Sequence, residues 1–336
     1  MQKICLTMDK VIGIGNALVD VLVRLEDEAT LSRLGLPKGG MQLIDDARHQ
    51  SLSQQILPLC PARATGGSAG NAVLALANLG AEPGFIGRVG DDETGRFFLD
   101  NCRLTGIDAR LIVGPGRSGV ANTFITPDAE RTFATYLGVA GQLTAADVAP
   151  ELLSGYQLLH IEGYLVQNHE LILHTCRLAK ELGMRVSIDL ASYNVVESNL
   201  ALLRDLVSRY IDVVFANEEE SRAFTEGKQP EDALREIASM ADVAVVKLGS
   251  RGAATMQSGR EARVPGRSLG VVDTTAAGDF FAGGFLYAFC QGASLEGCLR
   301  MGTLLASHII QVVGTRLPAE AWDEIRHEAA VILSNH

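Results

Sequence analysis

The sequence predicts an α/β fold with a mostly parallel sheet that is covered by helices on both faces. From residue 156 onward, short segments of nearly continuous Val, Ile and Leu, such as YQLLHIEGY, RVSIDLAS and IDVVFAN, alternate with segments of helical periodicity. The 336-residue chain is also 47% hydrophobic, which is enough apolar sequence for a large buried core. Its length allows one large α/β domain or two ordinary ones.

The elements can be assigned in chain order. KVIGIG and ALVDVLVRL are predicted strands, residues 69–80 are a predicted helix that stops at Gly80, and PGFIGRVG is the next predicted strand. Residues 117–139 are rich in Thr and aromatic residues and predict two strands around a turn at Pro127 and Asp128, apart from the main sheet. Further helices are predicted for residues 168–183, 198–209, 218–226 and 231–240. The segment GVVDTTAAGD predicts a short strand and a small-residue turn before a helix rich in phenylalanine.

Charge and cysteine usage narrow the function classes. The net charge of -11 argues against a nucleic-acid partner, which would require clustered Lys and Arg, so small-molecule ligands are expected. The six cysteines form no C-x-x-C pair and the N-terminus shows no signal segment, which predicts reduced thiols in a cytoplasm. The cysteines are Cys5, Cys60, Cys102, Cys176, Cys290 and Cys298. No apolar run reaches the ~20 residues that a membrane-spanning helix requires, so no membrane partner is predicted.

A run of small residues precedes the Phe-rich helix and ends at an acid. A helix N-terminus has unsatisfied N–H groups and about half a positive charge, so small residues there let an anion approach the backbone. Ala276, Ala277 and Gly278 are therefore predicted to bind an anion. Asp279 would repel a phosphate, so its expected role beside one is to take a proton from the attacking group. Alternatively, Asp279 only stabilises its own helix.

Two more motifs follow strands in the carboxyl-terminal half. FANEEESRAF places Asn217 and Glu220 at the end of a strand, where hard oxygen ligands suit Mg²⁺ beside a polyphosphate. The same pair also matches a helix capping box. In VVKLGSRGA, Gly249, Ser250 and Gly252 would let the backbone wrap a nucleotide, or they form an ordinary hairpin turn.

The amino-terminal half contains a second Gly-rich loop, ATGGSAGNAVLALANLG. Gly67 and Ser68 precede a predicted helix and would present N–H groups and a hydroxyl to a polar ligand, with Asn71 one turn further on. Alternatively, Ser68 only caps the helix. Asn16 and Asp20 are an even number of positions apart, so in a regular strand they lie on the same face. Together they suit a diol such as ribose. Alternatively, they are two polar residues at a solvent-exposed edge of the strand. GIGNALVD resembles the start of a dinucleotide fingerprint but lacks its third glycine.

Four of these segments, in order, resemble the signatures of one enzyme family. DTTAAGDFFAGGF and GGSAGNAVLALANLGAEPGFIGRVGDDETGRFF are similar to the C-terminal and N-terminal signatures of the ribokinase-like (PfkB) family of small-molecule kinases. NEEE matches the family's Asn-x-x-Glu motif, and KLGSRG matches its nucleotide loop. GIGNALVDVLV, MQLID and ERTFATYLG are more similar to the adenosine kinase branch than to ribokinase. AAGD replaces the commoner GAGD, a change that should leave the backbone cradle intact.

The resemblance implies a single three-layer α/β/α domain over residues 1–336, with a small β lid from about residues 14–45 and 110–136. It implies that Asp279 deprotonates the substrate hydroxyl and that the N–H groups of Ala276, Ala277 and Gly278 hold the transferring phosphoryl charge. The other implied sites are Asn217 and Glu220 for Mg²⁺ through water; Lys247, Gly249, Ser250, Gly252 and the segment near His308 for ATP; Asn16, Asp20, Gln42, Gly67, Ser68, Asn71 and Arg131 for the substrate; and Asp273 and Thr275 for a monovalent cation such as K⁺. A homodimer formed through the lid is compatible with the resemblance.

The implied function is transfer of the γ-phosphoryl group of ATP to a hydroxyl of a nucleoside or sugar. Adenosine is the favoured acceptor, and a ribose- or fructose-type sugar is the alternative. Basic residues are few in the predicted substrate region, with Arg131 the clearest, which disfavours an already phosphorylated sugar. An NAD-dependent oxidoreductase is a more distant alternative, since the Gly-x-Gly motif is incomplete. A non-catalytic ligand-binding protein is another, disfavoured because Asp279 is present. A metal hydrolase is disfavoured because His169 and His174 are five positions apart, whereas the two histidine ligands of zinc proteases are four positions apart on one helix face.

Overall fold

Two β-sheets organise the protein in the computed structural model, which describes residues 8–59, 61–128, 130–267 and 269–334. Within these ranges the strands are β1 (Val11–Ile14), β2 (Leu18–Arg24), β3 (Met41–Leu43), β4 (Ala62–Gly66), β5 (Gly84–Gly90), β6 (Asp108–Gly114), β7 (Gly119–Ile125), β8 (Arg131–Tyr136), β9 (Leu158–Glu162), β10 (Arg185–Asp189), β11 (Val213–Asn217), β12 (Val243–Lys247), β13 (Ala253–Gln257) and β14 (Arg260–Val264). The α-helices are α1 (Ala29–Arg33), α2 (Asp46–Ile56), α3 (Ser68–Asn78), α4 (Glu93–Leu104), α5 (Pro150–Leu153), α6 (His169–Glu181), α7 (Tyr193–Ser198), α8 (Leu200–Arg209), α9 (Glu218–Phe224), α10 (Pro230–Ala238), α11 (Ala277–Cys290), α12 (Leu295–Ile309) and α13 (Ala319–Ser334).

The larger sheet has the strand order β14-β13-β12-β11-β10-β9-β1-β5-β6. The strands from β12 to β6 are parallel, and β13 pairs antiparallel with both of its neighbours. This arrangement confirms the fold class and the mostly parallel sheet. The helices predicted after residue 167 correspond to α6, α8, α9 and α10, and the earlier one corresponds to α3.

Successive residues of the larger sheet pack on opposite faces. In β12, Val243 and Val245 belong to an apolar cluster with residues of α11 and α12, whereas Ala244 and Val246 belong to a cluster with residues of α6 and α8. A strand that is buried on both faces requires nearly continuous apolar sequence, which VAVVK provides. The result is a sheet between two layers of helices.

The smaller sheet has the order β3-β8-β7-β2-β4 and its own apolar cluster, which includes Val23, Leu52 and Phe124. The strands predicted within residues 117–139 lie in it, apart from the main sheet. Two boundaries differ from the predicted lid segments. Residues 110–114 belong to β6 of the larger sheet, and β4, which was not predicted, completes the smaller one. The reason is pairing: β6 lies parallel to β5, while β4 lies antiparallel to β2.

The chain passes from one sheet to the other directly after β1. Only residues 15–17 separate β1 from β2, and β2 is a strand of the smaller sheet. A dinucleotide-binding fingerprint requires a helix at this point. The GIGN segment therefore does not form that motif.

Helix α11 packs closely against α3 and α12 because two of its residues are glycines. A Cβ on Gly283 would lie 2.6 Å from the carbonyl oxygen of Ala72, and one on Gly284 would lie 2.6 Å from that of Met301. Close packing against α3 brings the first turn of α11 next to the first turn of α3. The predicted strand before α11 is absent from the described residues of this segment. The N–H groups of Val272 and Asp273 both donate to the carbonyl of Ile310, so the segment is held by a loop and not by a sheet.

In the part of the chain that the structure describes, every helix is too short or too polar to span a bilayer. The four cysteines in this part, Cys102, Cys176, Cys290 and Cys298, are buried and free. Cys5 and Cys60 lie outside the described residues.

Candidate active site

Four polar side chains end four neighbouring strands of the larger sheet. Glu162, Asp189, Asn217 and Lys247 are the last residues of β9, β10, β11 and β12. Because these strands are parallel, the four residues lie along one edge of the sheet. In open α/β sheets, ligands bind at this carboxyl edge.

Asp279 lies in the first turn of α11, opposite the start of α3. Its Oδ1 accepts a hydrogen bond from Ser68 Oγ at 2.7 Å, and its Oδ2 accepts one from Asn71 Nδ2 at 2.9 Å. The side chain of Ser68 therefore serves Asp279, and the residue at the N-cap of α3 is Gly67. Burial raises the pKa of Asp279 to about 6, against the effect of these two hydrogen bonds. A fixed carboxylate with a pKa near neutrality is suited to accept a proton.

Three small residues form the turn into α11. Ala276 precedes the first helical residue, Ala277, and has a left-handed backbone with a φ of 59°. The N–H of Ala277 donates to the carbonyl of Thr274 at 3.3 Å. The N–H groups of Gly278 and Asp279 belong to the first helical turn, where an α-helix has no acceptor of its own. Binding of a phosphoryl group by this turn stays a prediction.

Lys247 lies against the same turn. A Cβ placed on Gly278 would lie 3.0 Å from Lys247 Nζ, and Nζ is 2.6 Å from Asp189 Oδ2. Burial lowers the pKa of Lys247, but the negative charges of Asp189 and Glu220 outweigh burial and raise the pKa above its ordinary value. Lys247 is therefore a charged ammonium beside the start of α11.

Asn217 and Glu220 form the capping box of α9. Asn217 N–H and Nδ2 each donate to the carboxylate of Glu220 at 2.7 Å, and the Glu220 N–H donates to Asn217 Oδ1 at 2.8 Å. Burial raises the pKa of Glu220 to about 7, although the charge of Lys247 opposes this shift. Each oxygen of the carboxylate accepts one of these bonds and has a further lone pair. Hard oxygen donors with spare lone pairs fit a hydrated Mg²⁺ ion held through its waters.

The predicted nucleotide loop is the turn of a hairpin. β12 and β13 pair antiparallel, and Gly249 and Ser250 lie in the single 3₁₀ turn between them. The N–H of Leu248 donates to the carbonyl of Gly252 at 2.8 Å. His308 lies in the last turn of α12, and its Nδ1 is 2.9 Å from the carbonyl oxygen of Leu304 in the same helix. The hairpin is thus the observed conformation, and ATP binding there stays a prediction.

Asn16 and Asp20 are buried on the approach to the same edge. Asn16, in the loop before β2, donates from Nδ2 to Glu162 Oε1 at 2.6 Å. Burial raises the pKa of Glu162 to about 7, against the effect of this hydrogen bond. Burial also raises the pKa of Asp20 to about 7, and the negative charges of Asp279 and Asp273 add to the shift. The site therefore contains several carboxyl groups that gain or lose a proton near neutral pH.

Arg131, the first residue of β8, links the smaller sheet to the loop before α11. Its guanidinium donates hydrogen bonds to the side chains of Asp273, Thr274 and Thr275. Asp273 also accepts bonds from the N–H groups of Thr275 at 2.8 Å and Gly314 at 2.9 Å. Binding of a monovalent cation such as K⁺ by Asp273 and Thr275 through the adjoining backbone loop stays a prediction. Arg131 already supplies the positive charge there, and its guanidinium is committed to this loop.

Gln42 is the predicted substrate residue that the structure places elsewhere. Gln42 pairs in register with Ala134, and Ala134 belongs to the apolar cluster of the smaller sheet. Because side chains alternate along a strand, Gln42 lies on the opposite face from Arg131 and Phe133. Gln42 is therefore on the face that packs against the apolar cluster, and its contact with the substrate stays a prediction.

Comparison with known proteins places this site in a family. Residues 44–322 match the profile of the pfkB family carbohydrate kinases. The chain belongs to this family. This PfkB-family kinase is 30% identical over 244 residues to an uncharacterized sugar kinase of Archaeoglobus fulgidus, a match that covers 72% of this chain and 97% of that protein.

Two solved structures share the whole fold. A probable sugar kinase from Rhizobium etli CFN 42 superposes with a TM-score of 0.87 at 32% identity, covering 97% of this chain and 99% of that one. The adenosine kinase from Sinorhizobium meliloti superposes with a TM-score of 0.86 at 32% identity, covering 96% of this chain and 100% of that one. The PfkB-family kinase is thus a phosphotransferase with an alcohol acceptor, in a family that uses ATP and generally Mg²⁺.

Sequence reasoning missed two residues at the site of this PfkB-family kinase, Glu162 and Asp189. Each is a buried acid at the last position of a strand that was correctly predicted, in HIEGY and SIDLAS. An acid that interrupts an apolar strand at its carboxyl end is the signal that would have found them, because burying an unpaired carboxylate is costly.

Proposed function

We propose that this kinase transfers the γ-phosphoryl group of ATP to a hydroxyl group of a nucleoside, with adenosine as the first candidate. One observation carries the proposal: the carboxylate of Asp279 is held by Ser68 and Asn71 at the start of a helix, with Lys247 Nζ beside the same turn. A proton acceptor and a positively charged turn are the two features that attack on a phosphate requires.

In the proposed reaction, the acceptor oxygen forms a bond to the γ-phosphorus while its proton passes to a carboxylate oxygen of Asp279. The bond from the γ-phosphorus to the oxygen that bridges the β-phosphate breaks, and ADP leaves with that electron pair. Phosphoryl transfer needs positioning and charge stabilisation more than covalent help from the protein. The raised pKa of Asp279 lets it accept the proton near neutral pH.

The nucleotide is proposed to lie against the hairpin turn at Gly249, Ser250 and Gly252 and the segment near His308, with its γ-phosphate toward the turn into α11. Asn217 and Glu220 would hold Mg²⁺ through water. When bound, Mg²⁺ neutralises charge on the phosphates. The observed capping box supports this role because it holds the Glu220 carboxylate in one orientation at the sheet edge.

An apolar face of the smaller sheet supports a nucleoside over a free sugar. Met41 pairs with Phe133 and Leu43 pairs with Thr135, so these side chains share the face of Arg131. Met41 and Leu43 are 54% and 58% exposed, and the Arg131 guanidinium lies 6.0 Å from the centre of the Phe133 ring. Exposed apolar side chains next to a polar site suit a ligand that has both a base and a sugar. We propose that the smaller sheet acts as a lid over the base.

Further polar side chains at the same edge of the sheet suit the sugar. Asn16 and Glu162 are joined by a hydrogen bond and Asp20 is buried close by, which supplies donors and acceptors for neighbouring hydroxyls. The adenosine kinase of Sinorhizobium meliloti is one of the similar structures, which favours adenosine.

A ribose- or fructose-type sugar is the second candidate. The Archaeoglobus fulgidus and Rhizobium etli relatives are named as sugar kinases, and the proposed hydroxyl-binding residues would serve a free sugar equally well. A phosphorylated sugar is disfavoured because the guanidinium of Arg131 is paired with Asp273.

A panel of acceptors tests the proposal. ADP release would be measured with adenosine, other nucleosides, ribose, fructose and fructose 6-phosphate, each against ATP alone. We expect adenosine to give the highest kcat/KM. Turnover with a sugar and none with adenosine would overturn the nucleoside assignment and leave the kinase assignment intact.

A variant of the apolar face sharpens the test. The Met41→Ser/Leu43→Ser double substitution should raise the KM for adenosine and leave the KM for ribose unchanged. Leu104→Ser provides a matched control, because Leu104 is 84% exposed on α4 and lies outside both sheets. Equal effects on both acceptors would show that this face does not contact the base.

Cysteine burial supports the predicted cytoplasmic location. Burial raises the pKa of Cys102, Cys176, Cys290 and Cys298 to about 12 in each case, so these side chains are unreactive thiols. Free thiols suit a reducing compartment.

A homodimer formed through the lid stays a prediction, which sedimentation analysis of the purified protein would test.

A further inference from the structure

We infer that the ion pair between Asp189 and Lys247 belongs to the phosphoryl-transfer machinery. In this inference, which rests on the proposed function, Lys247 contacts the γ-phosphoryl group and Asp189 is a positioning residue that holds the ammonium against the turn into α11.

The sheet places the pair across an intervening strand. Asp189 ends β10 and Lys247 ends β12, and β11 lies between them in the strand order. Lys247 Nζ is 2.6 Å from Asp189 Oδ2, and the two side chains are only 14% and 6% exposed. The ion pair holds the tip of this long side chain, and Nζ lies 3.0 Å from the position that a Cβ on Gly278 would occupy.

The start of α11 opposes the positive charge of Lys247, although the carboxylates of Asp189 and Glu220 offset this effect and raise the pKa of Lys247. A helix N-terminus carries about half a positive charge, and cations are stabilising at the opposite end of a helix. Lys247 nevertheless places an ammonium within about 3.0 Å of the Cβ position of Gly278, in the first turn of the 14-residue helix α11. The Lys247 ammonium and the N-terminus of α11 therefore both favour an anion between them. The γ-phosphoryl group that Asp279 serves is the anion that the proposed reaction brings there.

Stability alone is a weak explanation for this pair. Burying two charges costs free energy that their attraction often fails to repay, so apolar residues could fill the same volume without loss. Lys180 of α6 and Asp212 form a comparison pair beside the same sheet, with Nζ 2.7 Å from Asp212 Oδ1, and their side chains are 32% and 26% exposed. Asp212 precedes β11, so that pair lies at the amino edge, away from the site.

The first test compares ATP with ADP, because only ATP carries the group that Lys247 is inferred to contact. Calorimetry with Mg²⁺ and without acceptor would measure both affinities for the wild type, Lys247→Gln, Lys247→Arg and Asp189→Asn. We expect Lys247→Gln to weaken ATP binding about tenfold, or ~1.4 kcal/mol, and to change ADP binding less than twofold. Lys247→Arg keeps the charge and should keep most of the preference for ATP. Asp189→Asn should lose part of the preference for ATP over ADP.

Kinetics provide the second readout. Lys247→Gln should lower kcat by about 10²-fold, as loss of one transition-state donor does, with the acceptor KM changed less than about threefold. The double variant Asp189→Asn/Lys247→Gln removes both charges of the ion pair, so it should fold even where a single variant does not. It should match Lys247→Gln in kcat and in ATP preference, because Asp189 acts through Lys247. Asp212→Asn, which breaks the comparison pair, should change neither quantity.

The outcomes separate this inference from the proposed function. If the wild type transfers phosphate and Lys247→Gln keeps its ATP preference and kcat, the inference is overturned and the kinase assignment stands. If the double variant shows the sum of two independent losses, Asp189 does not act through Lys247. If the wild type transfers phosphate to no acceptor but the ATP preference falls in Lys247→Gln, the proposed function fails and the phosphate contact stands.

Discussion

The amide of Asn71 donates a hydrogen bond of 2.9 Å to the carboxylate of Asp279, across 208 positions of sequence. The contact joins the first turn of α3 to the first turn of α11, and Ser68 adds a second bond of 2.7 Å to the same carboxylate. The buried Asn71 Oδ1 has no hydrogen-bond partner among the described residues, so the Asn71 side chain is held through its donor alone. The orientation of Asp279 therefore depends on both halves of the chain.

Asp279→Asn should abolish most turnover and leave nucleotide binding intact. The change keeps the size of the side chain and removes the proton acceptor, and general-base catalysis contributes about 10²–10⁴-fold. Affinity for ATP with Mg²⁺, measured by calorimetry, should stay equal or rise slightly because a negative charge near the γ-phosphate is removed. The melting temperature of the same preparation is the control for folding. Turnover within a few-fold of wild type would reduce Asp279 to a helix-terminal charge.

In the pH dependence of kcat/KM, the fall on the acid side (the acid limb) should follow the protonation of Asp279. Its pKa is raised to about 6, so the active carboxylate is lost as the pH falls through about 6, and the rate should fall with it. Ser68→Ala removes a hydrogen bond that lowers this pKa, so the limb should move to higher pH in that variant. An unchanged limb in Ser68→Ala would assign the limb to another group.

Turnover of the wild type should be nearly independent of the monovalent cation. Arg131 already pairs with Asp273 and hydrogen-bonds Thr275, so K⁺, Na⁺ and tetramethylammonium at equal ionic strength should give rates within about twofold, under ~0.5 kcal/mol in barrier. Arg131→Met removes the guanidinium and should slow turnover about tenfold, with partial recovery in K⁺. A several-fold loss of wild-type rate in Na⁺ would show that the loop binds K⁺ despite Arg131.

Ala276→Gly should stabilise the protein slightly. Ala276 has a φ of 59°, a left-handed conformation that costs a residue with a Cβ roughly 1–2 kcal/mol, and the greater freedom of glycine in the unfolded chain offsets about half of that. We expect the free energy of unfolding to rise by up to about 1 kcal/mol in urea titration. Ala277→Gly is the matched control, because Ala277 is helical and glycine there should destabilise by roughly 0.5–1 kcal/mol. Equal effects of the two changes would contradict the assigned turn.

The ligand-free protein should be more stable at pH 5 than at pH 7.5. Burial raises the pKa of Asp20, Glu162 and Glu220 to about 7 and that of Asp279 to about 6, from ordinary values near 4. Between these limits the folded state binds more protons than the unfolded state, so the free energy of unfolding falls as the pH rises. Melting curves across this range measure the trend, and Asp20→Asn should flatten it. A melting temperature that rises from pH 5 to pH 7.5 would count against these raised pKa values.

Structural features that follow from local sequence were predicted well. The strands of the larger sheet are apolar on both faces, so their composition marks them, and the turn into α11 is marked by its small residues and one acid. Glu220 and Asn217 were also placed correctly, since a capping box needs only residues three positions apart.

Contacts between distant segments were not predictable in the same way. The pairing of Arg131 with Asp273 and of Lys247 with Asp189 depends on which strands become neighbours, which local composition does not determine. The face of Gln42 was not predictable either, because it depends on the register of β3 against β8, and a shift by one residue exchanges the faces. The strand β4 lies exposed at the sheet edge and has little apolar pattern to mark it.

The separation of Asp279 from Ser68 by 211 positions also has a consequence for synthesis of the chain. A ribosome makes the hairpin turn, the capping box and the lid strands before it makes α11, so a nascent or prematurely terminated chain can contain these features and still lack Asp279, the proposed base. Such a chain would have no group to activate an acceptor. The order of translation therefore makes the proposed catalytic centre one of the last parts of the chain to form.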